Sequence, residues 1–217
     1  MMQSIIFACI SLIIAAISFT VGATQVFGTG KPFYNKIIVG AVGCYLLQEI
    51  ATVCEYFCGG FDMYSGSFVD SIGTISYICL IYSAEKHIVR EAKMRRNTVL
   101  AIVLSIISVG LTVLLFSYIH NSIGIVLSVM TCAGTLLEIP AAYYCIQHLR
   151  ASKEQKNLAV TKPCALISFI LFCCGFVYFF GFTYGSSVFL NVFSVAETLM
   201  IALLTFFAVR GAKKWNC

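Results

Sequence analysis

Residues 102–116 read IVLSIISVGLTVLLF, a run without a single charge. A β-strand facing lipid alternates polar and apolar side chains, and this run does not. A helix satisfies its own backbone N–H and C=O groups, so an unbroken apolar run of this kind reads as helix in hydrocarbon. Similar runs fill the rest of the 217 residues, of which 60% are hydrophobic and 11% charged. Soluble domains are about a quarter charged, so the composition is that of a membrane protein. One span needs about 20 apolar residues. Seven are expected, at about 4–27, 36–58, 67–87, 98–119, 123–149, 164–183 and 187–210. The short loops predict an all-α, polytopic, compact seven-transmembrane-helix bundle over 1–217, a single domain with almost nothing left for a soluble one.

Charge placement gives the orientation. All fourteen Lys and Arg residues lie between the apolar stretches, at their ends or in the C-terminal tail. Lys31 and Lys36 flank loop 1, and Lys86, Arg90, Lys93, Arg95 and Arg96 flank loop 3. Arg150, Lys153, Lys156 and Lys162 flank loop 5, and Arg210, Lys213 and Lys214 follow the last stretch. In a seven-span protein these four places share one face, and the positive-inside rule makes that face cytoplasmic. The N-terminus is then outside and the C-terminus cytoplasmic. The first stretch has no preceding basic residue and a long apolar run, so it reads as a span and not as a signal peptide. The net charge of +5 is a topology signal. Basic residues scattered over four short segments do not form a nucleic-acid surface, and a modest attraction to anionic membrane lipids is expected instead.

The acids sort differently. Glu49, Glu138 and Glu197 fall near the middle of three separate stretches. A charge at bilayer depth costs roughly 2.5–3.5 kcal/mol on insertion scales, and such residues mark working sites. On the second stretch Tyr45, Glu49, Thr52 and Tyr56 recur at helical spacing on one face, with Gln48 and Glu55 on the adjoining stripe. On the fifth, Thr131, Thr135, Glu138 and Ala142 share a face, and Pro140 is expected to kink the helix and free a carbonyl. On the seventh, Ser194 and Glu197 align. Asp70 opens the third stretch with Thr74 and Tyr77 on its face; at a helix start it also complements the dipole. The expected pocket is thus Glu49, Glu138 and Glu197, walled by Tyr45, Gln48, Thr52, Tyr56, Asp70, Tyr77, Thr135 and Ser194. Each acid also has a packing reading, as an interhelical hydrogen-bonder worth about 0.6 kcal/mol.

The eleven cysteines show no metal-ligand spacing with His87, His120 and His148, which all fall near span ends, so no metal and no cofactor is expected. Cys217 does not sit in a C-a-a-X pattern. Nucleophile-elbow, zinc and Walker signatures are missing, and the seventh stretch has no mid-helix lysine for a retinal Schiff base. Weak echoes pair residues 60–90 with 181–210 and 46–50 with 136–139, but they imply different repeat schemes.

Cys44-Tyr45-Leu46-Leu47-Gln48-Glu49-Ile50 with Tyr56 seven residues past the acid, and Glu138 followed by Gln147 and Arg150, carry a resemblance. The chain is similar to the small seven-helix integral-membrane terpene cyclases of meroterpenoid and indole-diterpenoid pathways. Gln48 stands where that family has Trp, and Glu197 where it has Asp. The resemblance implies protonation of an epoxide or olefin on a bound polyprenyl chain by Glu49. Aromatic faces would steady the cation, and a second acid would assist. The implied partners are a lipophilic small molecule and membrane lipid. The same acids would serve a proton-coupled transporter, and a sensory or assembly module is a third reading.

Overall fold

The computed structural model describes residues 2–28, 30–58, 63–92, 97–123, 125–150, 156–184 and 187–215. Among these the structure is all-helical. Its seven helices are α1 (Met2–Val26), α2 (Phe33–Cys58), α3 (Met63–Glu91), α4 (Thr98–Ile123), α5 (Ile125–Leu149), α6 (Lys156–Tyr184) and α7 (Ser187–Lys214).

Local chemistry sets the boundaries. Gly30 turns the chain between α1 and α2 at φ +79°, a left-handed conformation open to glycine without strain. Pro32 stands just ahead of α2, where its missing N–H costs nothing, and its carbonyl accepts the Lys36 N–H at 3.3 Å. Asn97 caps α4: its side-chain oxygen accepts the Leu100 N–H at 3.1 Å. Helix α5 runs on through Pro140, whose ring nitrogen cannot serve the Leu136 carbonyl.

Among the described residues, five segments are long and apolar enough to cross a membrane: Ile5–Val26, Phe33–Phe57, Thr98–Ser117, Ser128–Leu149 and Val192–Lys214. Ala159–Gly175 is a shorter apolar helix. The sequence expectation of further spans at 67–87 and 164–183 concerns α3 and α6. The last turns of α3 carry Glu85, Lys86, Arg90 and Glu91, which lowers its apolarity. Side chains 58–70 and 176–191 lie outside the described residues.

Helices α2, α3, α5, α6 and α7 form a ring, each touching the next, with α2 closing onto α7. Helix α1 fills the outer groove between α2 and α7, and α4 lies outside against α5 alone. The ring is lined by Ile38, Val42, Tyr45, Ile78, Ile81, Ile201 and Leu204, all buried. Large apolar side chains also point outward, among them Ile13, Ile17, Ile102, Ile106, Leu114, Val126 and Val129. A water-soluble monomer does not expose so continuous an apolar surface, whereas a lipid-facing one does.

Close approaches use small residues. A Cβ on Gly73 of α3 would lie 2.8 Å from the Gln48 Cβ, so α2 and α3 pack nearly backbone to backbone there.

Candidate functional site

Two polar layers occupy the ring, and all five of its helices contribute to each. The first is the mid-helix layer anticipated from the glutamates. Glu49 on α2 and Glu138 on α5 are 6% and 9% exposed, and Glu197 on α7 is half-buried. The Tyr77 hydroxyl of α3 donates to Glu197 Oε1 at 3.0 Å. The buried Tyr45 phenol stands 2.8 Å from Thr198 Oγ1, is in hydrogen-bonding contact with Glu49 and feels the charge of Glu197. Its ring meets that of Tyr77 edge-on, with centroids 5.9 Å apart. Glu138 in turn lies within electrostatic range of Glu197. Glu49 and Glu197 therefore meet around the Tyr45–Tyr77 pair, with Glu138 joined to the layer through Glu197.

Helix α6 contributes a bare backbone. A Cβ on Gly175 would lie 2.6 Å from Glu138 Oε1, so this glycine makes room for the carboxyl. The clashing atom is the tip of a flexible side chain, which can move aside. Gly175→Ala is accordingly expected to keep thermal stability within about 1 kcal/mol of wild type while displacing the Glu138 carboxyl. Infrared spectroscopy of the Glu138 C=O stretch, assigned by its disappearance in Glu138→Gln, checks this; an unmoved band would contradict the close approach.

The other sequence candidates distribute as follows. Gln48 faces α3 and not the acids, with its Oε1 accepting the Thr74 hydroxyl at 3.2 Å. Thr52 spends its hydroxyl on the Gln48 carbonyl at 3.1 Å, and Tyr56 is 42% exposed. Thr135 is buried and donates to the Thr131 carbonyl at 3.2 Å. The Ser194 carbonyl accepts the Thr198 hydroxyl at 2.9 Å, which brings Ser194 to the layer through its backbone. The Asp70 side chain lies outside the described residues.

The second layer was not anticipated. Glu85 on α3 and His148 on α5 are both fully buried. His148 Nδ1 lies 2.6 Å from Glu85 Oε2, and His148 Nε2 lies 3.0 Å from Thr161 Oγ1 on α6. The Tyr34 hydroxyl of α2 donates to Glu85 Oε1 at 2.6 Å. Beside them the buried Asn35 donates to the Ala208 carbonyl of α7 at 2.6 Å. Carboxylate, imidazole and hydroxyl stand in the order of a nucleophilic relay. Yet Thr161 is itself fully buried, so no substrate carbonyl can approach its oxygen. The arrangement ties five helices together at their basic ends.

The layers lie about 12–22 Å apart along the helices, at ~1.5 Å per residue. Between them the ring is packed with Ile38, Val39, Val42, Ile78, Ile81, Ala141, Cys145, Ile201 and Leu204, all buried. Among the described residues no cluster of His, Cys, Asp and Glu could hold a metal ion.

No family model, no curated protein and no solved structure matches the chain.

Proposed function

We propose that the chain is a seven-span membrane enzyme whose mid-helix acids protonate a lipophilic substrate, in the manner of the small integral-membrane terpene cyclases that it resembles. In this reading the N-terminus is outside, and the ends bearing Lys and Arg are cytoplasmic. Glu49 is the proton donor. Glu197, held by Tyr77, and Glu138 beside it are the groups that accept or return the proton.

One observation carries the reading: Glu49 is buried and in hydrogen-bonding contact with Tyr45, whose phenol also stands 2.8 Å from Thr198 Oγ1. A carboxyl group sealed among apolar side chains and phenols is placed to act as the proton donor that protonation-initiated cyclisation requires. The apolar packing beneath the layer also fits a closed reaction site better than a through-going path.

Membranes containing the protein are expected to convert a polyprenyl epoxide or olefin into a cyclised product of identical mass, resolved by chromatography and mass spectrometry. The second reading, proton-coupled transport, is favoured by the buried Glu85–His148 pair, a further titratable layer nearer the basic end. Uptake into proteoliposomes driven by a pH gradient, with no product formed, would replace the first reading by the second.

A further inference from the structure

The outward stripe at the basic end of α3 forms an open groove of about 560 Å³, lined by Tyr82, Ser83, Lys86, His87, Arg90 and Glu91. These residues recur one turn apart on the face opposite Ile78, Ile81, Glu85 and Ile88, which point into the ring. Lys86 rests on Tyr82, with Nζ 3.0 Å from the phenol oxygen and 4.9 Å from the ring centroid. Glu91 faces His87 at 3.7 Å. Among the described residues, neither Lys86 nor Arg90 has a carboxylate within ion-pair distance. The groove therefore offers two cations without an ion-pair partner among the described residues, four residues apart on one helix face, with the single carboxylate of Glu91 turned to His87.

Its surroundings are those of a membrane interface. Phe33 at the start of α2 packs edge-on against His87 at 5.7 Å, and Tyr144 of α5 does the same to Tyr82 at 5.5 Å. Aromatic rings beside cations at the end of apolar helices mark headgroup depth. A guanidinium offers a planar fork of donors to phosphate oxygens, and an ammonium adds a point charge.

We propose that this groove holds the phosphate headgroup of an anionic phospholipid from the leaflet at the basic end, with Lys86 and Arg90 as its ligands and Tyr82 positioning Lys86. The site is separate from the mid-helix acids and serves no step of the protonation chemistry.

Native mass spectrometry of the full chain in neutral detergent tests this with phosphatidylglycerol, phosphatidylcholine and inorganic phosphate as probes. Phosphatidylglycerol should bind more tightly than phosphatidylcholine. Its affinity should fall roughly tenfold or more in K86Q/R90Q, given about 1 kcal/mol per basic residue near anionic lipid. K213Q/K214Q, changed in the last turn of α7, should bind as wild type does. Arg90→Glu alone alters an exposed residue and should lower affinity as well. Equal loss in the α3 and α7 variants would reduce the effect to diffuse charge and overturn the site. Unchanged binding in K86Q/R90Q would overturn it too, and so would inorganic phosphate binding as tightly as the lipid.

Discussion

Glu85→Ala is expected to destabilise the protein by about 3–5 kcal/mol, since two buried polar groups each lose a partner at about 1–3 kcal/mol and the volume of the side chain is left empty. The reason lies in what stays behind. Tyr34 and His148 each direct a polar atom at Glu85 from 2.6 Å, in a place sealed from solvent. Removing the carboxyl strands both and leaves a cavity beneath Ile81 and Ile88. Glu85→Gln keeps an oxygen for Tyr34 and should recover part of the loss. Unfolding of the two variants in detergent, followed by temperature or denaturant, measures the difference. A loss below about 1 kcal/mol for the alanine variant would show that this layer does not hold the ring together. Because the acids at mid-helix lie a packed apolar layer away, Glu85→Gln should also keep the catalytic turnover proposed for them.

The opposite signature is expected at Glu49. Glu49→Gln preserves shape and hydrogen-bonding capacity while removing the transferable proton. Turnover should fall by about 10²–10⁴-fold, the usual contribution of a general acid. Unfolding should move far less than in Glu85→Ala, since the amide can still hydrogen-bond Tyr45. The measurement is product formation normalised to folded protein, with unfolding recorded on the same samples. Full turnover in Glu49→Gln would remove this residue as the proton donor and return the assignment to Glu138 or Glu197.

Helical class was legible in the sequence because lipid imposes it: long apolar runs have no other way to satisfy their backbone. The mid-depth glutamates were legible for a related reason, since an acid among apolar residues needs a cause. Their partners were only half legible. Helical spacing placed Tyr45 and Glu49 together and offered Tyr77 on α3, and the structure adds Thr198 from α7. The same spacing extended the face to Tyr56, near the end of α2, where the side chain is exposed. Tyr56 stands seven residues beyond Glu49, about 10 Å along the axis at ~1.5 Å per residue, so a shared face does not bring both to one site.

The Glu85–His148 layer was hidden for a different reason. Glu85 precedes Lys86, and His148 precedes Leu149 and Arg150, so both look like the polar fringe at the end of a span. Nothing local distinguishes a fringe carboxyl from one turned inward onto an imidazole 63 residues away. The signal that could have found it is phase: position 85 lies on the Ile78–Ile81–Ile88 stripe, which is apolar throughout. Gly175 was equally silent, because a glycine in an apolar helix reads as packing until the atom it faces is known.

That all five ring helices meet in both layers has a consequence for biogenesis. Translation delivers Asn35 and Tyr45 long before the Ala208 carbonyl and Thr198, their partners on α7. Until α7 is made, these side chains must be sheltered by the insertion machinery or by provisional neighbours. Arrival of α7 supplies the missing partners of both layers at once, which makes its docking the committing step of maturation.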